Sequence, residues 1–198
     1  MATRKPSPAL LIIDMFSHFD FPDGKRLAPL ALDAAHAIAA LRAAFDERGW
    51  PVIYSNDNFG DWKCGFRELV EACLRNAGPA GAIATLLRPD AGHYSVLKPK
   101  HSAFLASPLQ MLLQKLEVDT IVLAGMALDS CVLATAIDAK SRELRCLVVD
   151  EATAALPGRR AAALQVLQAS GTAEVVAAAR LLSALKDQPA DNGVIMAL

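Results

Sequence analysis

"TIVLAGMALDSCVLATAIDAKSRELRCLVVD", residues 120–150, changes its periodicity twice. Residues 120–125 form a continuous apolar run, the pattern of a strand covered on both faces. From 129 to 142 the apolar positions Val132, Leu133, Ala136 and Ile137 recur at helical spacing. At 144–150 the run "LRCLVVD" returns to the strand pattern. A strand, a helix and a second strand in one stretch make a crossover unit, and such units build parallel sheets.

The same alternation extends in both directions. "ALLIID" (9–14), "PVIYSN" (51–56) and "YSVLKP" (94–99) read as strands, and a short sixth lies at 173–176. Helical spacing covers 30–48, where Leu30, Ala34, Ile38, Leu41 and Phe45 share a face and Gly49 stops the helix. It also covers 62–76, 105–117 and, opened by Pro157 and closed before Gly171, 157–169. "AGPAGA" (77–82) reads as a loop. The pattern predicts an α/β fold with a mostly parallel sheet. It divides the chain into an arm at 1–8, one domain at 9–186 and a tail at 187–198.

Composition bounds the function. The chain has 198 residues, 54% hydrophobic and 21% charged, with a formal net charge of −1. That suits one domain with a sizeable core and gives no electrostatic reason to expect nucleic acid or an anionic membrane as partner. The apolar runs are strand-sized, too short to span a bilayer. The N-terminal apolar stretch ends at Asp14, too early for a signal peptide. Cys64, Cys73, Cys131 and Cys146 form no C-x-x-C pair, which predicts free thiols and a reducing, cytoplasmic setting. His18, His36, His93 and His101 have no metal-ligand spacing, and neither a G-x-G-x-x-G nor a P-loop follows a strand. No metal and no cofactor are expected.

Ligands of open parallel sheets bind at the carboxyl ends of the strands. Here those ends offer Asp14, the "NDN" at 56–58, Lys98, the "GMALDSC" at 125–131 and Asp150. Cys73 falls on an apolar helical stripe and Cys146 inside a strand, so both read as core. Cys131 differs. If Asp129 caps the following helix, Cys131 stands in its first turn, where free N–H groups and the helix dipole favour a thiolate. Taken singly, each candidate also has a plain reading: Cys131 as packing, Asp14 as an acid bonded to loop amides, Lys98 as a solvated strand end. Together at one sheet edge they can do acyl chemistry. The acid takes the thiol proton, the lysine balances charge, and the sulfur attacks.

Four blocks in order carry a resemblance: "LLIIDMFSHFDFPDG", "VIYSNDNFGDW", "VLKPKHSAF" and "LAGMALDSCVLATAIDA". They are similar to the isochorismatase-like cysteine hydrolases over residues 9 to about 180. The resemblance implies a six-stranded Rossmann-like three-layer sandwich with helices on both faces. It implies an Asp14–Lys98–Cys131 triad, a cis peptide at Met126–Ala127, and an oxyanion hole from the amides of Ala127 and Cys131. It also implies a homo-oligomer, dimer or tetramer, and cleavage of a small amide through a thioester. Metal-binding nicotinamidases of this kind carry an Asp-x-His and a further His after the second strand. Here Asp57 is followed by Asn58 and Phe59, so neither zinc nor nicotinamide specificity is implied. Where the family often has Gln, this chain has Phe16, which predicts an apolar pocket floor. Members acting on isochorismate lack the cysteine, so Cys131 favours acyl chemistry. Phe16, Asn58, Trp62, His101 and Phe104 are the expected pocket wall. The alternatives are a vinyl-ether hydrolase with a bystander Cys131 and a non-catalytic oligomeric binding subunit.

Overall fold

The computed structural model describes residues 7–57 and 62–187. In chain order the elements are β1 (Ala9–Ile13), α1 (Gly24–Asp46), β2 (Val52–Asp57), α2 (Phe66–Leu74), α3 (Pro79–Leu86), β3 (Tyr94–Lys98) and α4 (Leu109–Lys115). Then come β4 (Thr120–Met126), a π-helical turn (Leu128–Val132), α5 (Leu133–Lys140), β5 (Arg145–Ala154), α6 (Pro157–Ala169), β6 (Glu174–Val176) and α7 (Ala178–Asp187). The six strands form one sheet in the order β3-β2-β1-β4-β5-β6, and every pairing is parallel.

Helices cover both faces of this sheet, and the strands divide their side chains between two cores. Leu10 and Ile12 of β1 pack with α1, α2, α3 and α7, while Ala9, Leu11 and Ile13 pack with α4, α5 and α6. All five β1 residues are buried, which is why the run is apolar without alternation. Each buried Leu or Ile contributes about 1.5–3 kcal/mol. A charged residue directly after such a strand must therefore find partners, and Asp14 does.

Several predicted boundaries move. α1 starts at Gly24, not at residue 30, with Pro29 inside it. Pro29 is on the exposed side, where the carbonyl it leaves without a helical donor can face water. The "AGPAGA" loop instead opens α3. Pro79 occupies its first turn, and a Cβ on Gly81 would lie 2.0 Å from the Asn76 carbonyl oxygen, so the small residue serves close packing. β5 runs on to Ala154, which places Asp150 inside the strand, paired to Arg160 at 2.5 Å. α7 has no predicted counterpart; Leu181 and Leu185 anchor it in the core. α1 is long and apolar enough to cross a bilayer by length and composition, yet Ala31, Ala35, Ile38, Leu41 and Phe45 are wholly buried within the fold.

Candidate active site

The site forms where β1, β2, β3 and β4 end. Ile13 of β1 and Gly125 of β4 are partners in the sheet. Gly125 has φ +115, and a Cβ there would lie 2.1 Å from the Ile13 carbonyl oxygen. Glycine alone lets the two backbones stay this close as β4 turns away. Asp14 follows β1 in a left-handed conformation with φ 53. Its amide donates to the Ser55 carbonyl at 2.9 Å. Asn56 then grips the next turn: Phe16 N–H donates to its Oδ1 and its Nδ2 donates to the Phe16 carbonyl, both at 3.0 Å. These bonds fix Asp14 against the ends of β2 and β3.

Asp14 is nearly buried. Its Oδ1 accepts the Asp57 amide at 2.6 Å, and its Oδ2 meets Lys98 Nζ at 2.8 Å. Lys98 is fully buried, with Nζ donating to the Lys100 carbonyl at 3.0 Å and lying 3.5 Å from Cys131 Sγ. A second carboxylate, Asp57, stands 4.0 Å from the same ammonium. A buried cation is tolerated only with such a set of partners.

These groups shift one another. Burial raises the Asp14 pKa above its usual value, against the pull of Lys98, of Cys131 and of the Asp57 amide. Burial lowers Lys98, but Asp14, Cys131 and Asp57 together outweigh it, and its pKa rises. The Cys131 thiol is pushed up to about 12, first by burial and then by the Asp14 charge, with Lys98 and Ser130 opposing. Cys131 therefore rests as a thiol beside an acceptor for its proton. The sequence predicts that the helix start favours a thiolate; burial and the Asp14 charge outweigh it.

Cys131 sits in the π-helical turn. The Ala127 carbonyl accepts the amides of Ser130 at 3.0 Å and of Val132 at 3.1 Å. Ala127, not Asp129, is the capping residue; Asp129 lies in the first turn, and no side-chain capping bond is made. The Met126–Ala127 peptide is cis. Thr135 Oγ1 donates to the Cys131 carbonyl at 2.7 Å and accepts the Ala103 amide at 3.0 Å, tying this turn to the loop after Lys98. From that loop His101 brings Nδ1 to 3.7 Å from Cys131 Sγ and 3.2 Å from Ser130 Oγ.

A cavity of about 410 Å³ opens over these groups. Asp14, Asp57, His101, Met126, Ala127, Asp129, Ser130 and Cys131 line its floor, and Phe21, Pro22, Leu27 and Leu156 supply apolar wall. Arg159 and Asp23 also line it, paired to each other at 2.9 Å.

Thus Asp14, Lys98 and Cys131 come together, and Met126, Ala127 and His101 line the same cavity. Three expected wall residues do not. Phe16 is 1% exposed and packs on Tyr54 and Phe66 with ring centroids 5.7 and 5.5 Å away, turned inward by the Asn56 grip. Phe104 belongs to the opposite core, with the Arg142 guanidinium 4.7 Å from its ring centre. Trp62 is 79% exposed and lines no part of the cavity. Asn58 lies outside the described residues. Sequence reasoning missed Phe21, Asp23, Leu27, Leu156 and Arg159; their signal was only that they follow the carboxyl ends of β1 and β5.

Asp46, Asp90 and His93 also bring possible metal-ligand atoms within 4.8 Å of one another, at the amino ends of β2 and β3. Both ring nitrogens of His93 are already engaged, Nε2 with Asp46 at 2.9 Å and Nδ1 with the Asp90 amide at 3.0 Å.

A model of the isochorismatase domain matches residues 8–180. An uncharacterized isochorismatase family protein of Bacillus subtilis is 37% identical over 139 residues, covering 70% of this chain and 76% of that protein. A maleamate amidohydrolase of Pseudomonas putida is 33% identical over 150 residues, covering 73% of this chain and 70% of the other. Among solved structures, N-carbamoylsarcosine amidase from Thermoplasma acidophilum matches with a TM-score of 0.66 and 29% identity, covering 87% of this chain and 96% of that one. With a domain match over nearly the whole chain and a six-stranded parallel sheet, this chain belongs to the isochorismatase family, and amidohydrolases are among its relatives.

Proposed function

We propose that the chain is a cofactor-independent cysteine hydrolase that cleaves the amide C–N bond of a small molecule through a thioester. One observation carries this reading: Cys131 Sγ lies 3.5 Å from a buried Lys98 that is itself 2.8 Å from Asp14. Asp14 takes the thiol proton as Sγ bonds to the amide carbon. The amides of Ala127 and Cys131 hold the oxyanion, and Lys98 balances the negative charge shared between Asp14 and sulfur. The intermediate collapses with loss of the C–N bond, and the proton on Asp14 goes to the leaving nitrogen. Water then converts the thioester to the carboxylic acid and restores the thiol.

The relatives named as an amidohydrolase and an amidase support an amide rather than a vinyl ether as substrate class. The proposal includes a homo-oligomeric state, dimer or tetramer, which sedimentation measures directly, and a cytoplasmic setting. Its test is ammonia or amine release from a panel of small primary and N-substituted amides, maleamate among them. Cys131→Ala and Cys131→Ser should both lose turnover. Undiminished release in both variants would falsify the mechanism, and turnover of isochorismate that survives Cys131→Ala would establish the vinyl-ether alternative.

A further inference from the structure

Lys98 and Cys131 face each other across 3.5 Å, yet they stand on elements that the sheet does not join directly. Lys98 ends β3, which pairs with β2 at the border of the sheet, and Cys131 lies in the turn between β4 and α5. α5 makes the connection. Thr135, fully buried on α5, donates its hydroxyl proton to the Cys131 carbonyl at 2.7 Å and accepts the Ala103 amide at 3.0 Å. Three residues further on, Asp138 Oδ2 accepts the hydroxyl of buried Ser102, and its Oδ1 accepts Arg142 Nη1 at 2.9 Å. Ser102 and Ala103 both belong to the loop after Lys98, and the Lys100 carbonyl of that loop accepts Nζ at 3.0 Å. A helical threonine often bonds back to the carbonyl four residues earlier, which alone is a local matter. The second bond, to a residue 32 positions away, makes Thr135 a bridge.

We infer that Thr135 is a positioning residue: its hydroxyl, with Asp138 as a second arm, holds the loop after β3 against the nucleophile turn and so keeps the Lys98 ammonium within reach of Cys131 Sγ. Without the hydroxyl, the Cys131 carbonyl and the Ala103 amide lose that shared partner, and the loop drifts from the turn. The Lys100 carbonyl moves with the loop, Nζ is left to Asp14, and its approach to the sulfur lengthens. This role fixes a distance between two side chains, so it holds whatever bond the site cleaves; it rests on the hydrolase reading only for its effect on turnover.

Iodoacetamide alkylation of the full chain, followed at each cysteine by peptide mapping, tests the bridge. Lys98 favours the Cys131 thiolate, and the thiolate is the form that reacts. Thr135→Val, similar in size but without the hydroxyl, should be alkylated at Cys131 about tenfold more slowly than the parent at one pH, with its profile displaced to higher pH. Thr135→Ser, which keeps the hydroxyl, should react within about twofold of the parent. Ser102→Ala removes the second arm and should slow Cys131 about threefold. Cys73 and Cys146 are buried and report opening of the fold, so both should label at the parent rate in every variant. A Thr135→Val profile that stays in place or moves to lower pH overturns the inference, as does a Thr135→Ser protein as slow as Thr135→Val. Faster labelling of Cys73 and Cys146 alongside the change at Cys131 overturns it too, because the hydroxyl then serves the fold alone. Should Thr135→Val not fold, Ser102→Ala decides, and Cys131 alkylation at the parent rate there overturns the bridge. The hydrolase proposal stands or falls separately, on turnover in Cys131→Ala and Cys131→Ser.

Discussion

At the scale of the residue, Cys131 owes its state to neighbours that oppose each other. Burial and then the Asp14 charge push its thiol up to about 12, while Lys98 pulls it down. Replacing Asp14 by Asn removes the proposed base but also removes a charge that disfavours the thiolate. Turnover should fall by about 10²–10⁴-fold. The pH profile for iodoacetamide alkylation of Cys131, read by peptide mapping, should nevertheless move to lower pH than in the parent. A shift to higher pH would show that Asp14 is not the charge that raises the thiol. Lys98→Met should instead leave the buried Asp14 without its cation and destabilise the fold by about 3–5 kcal/mol in urea titrations. Asp14, Lys98 and Cys131 are legible in the sequence as candidates because each stands where a strand closes or a helix opens. The pocket wall is not. Position beside a reactive residue says nothing of where a side chain points, and Asn56 turns Phe16 into the core.

Elements are legible where periodicity is long. The alternation of apolar runs and helical stripes identifies all six strands, and the family resemblance adds the triad that spans them. It fails where small residues carry two meanings. "AGPAGA" resembles a loop by composition, but α3 begins inside it because Gly81 admits the Asn76 backbone. Gly125 has the same kind of role at the site. Gly125→Ala would set a Cβ 2.1 Å from the Ile13 carbonyl oxygen on a backbone with φ +115. β1 and β4 must then separate, so Cys131 alkylation and turnover should both change along with the thermal midpoint; an unaffected protein would show that the close approach is dispensable. Inside β5, burial lifts the Cys146 thiol from 9.0 to about 12. As pH rises the unfolded chain ionises first, so this contribution to stability is complete below about pH 9 and lost as pH climbs toward the folded value. Cys146→Ala should therefore reduce the loss of unfolding free energy between pH 8 and pH 10 by about 1 kcal/mol, measured in urea. An unchanged loss would mean that the thiol ionises alike in both states.

Across the whole molecule, Asp14, Lys98 and Cys131 arrive from widely separated parts of the chain and meet through the sheet. Asp14 follows β1 and Cys131 follows β4, the two central partners, whereas Lys98 ends β3 at the border of the sheet. β3 pairs with β2 alone, in a register that ends with Asp57 against Lys98. The two partners of the buried ion pair thus stand in neighbourhoods of unequal resistance to opening. In urea well below the global midpoint, ammonia release should decline while far-ultraviolet dichroism stays native, and amide exchange should be fastest in β3 among the four strands that form the site. Coincident loss of both signals would show that β3 opens only with the rest. If that border strand lifts, the lysine goes with it, and the burial and the Asp14 carboxylate that raise the Cys131 thiol are left without the cation that opposes them. The proposed catalyst would thus fail quietly: a loosened copy would carry an inert sulfur rather than an uncontrolled nucleophile.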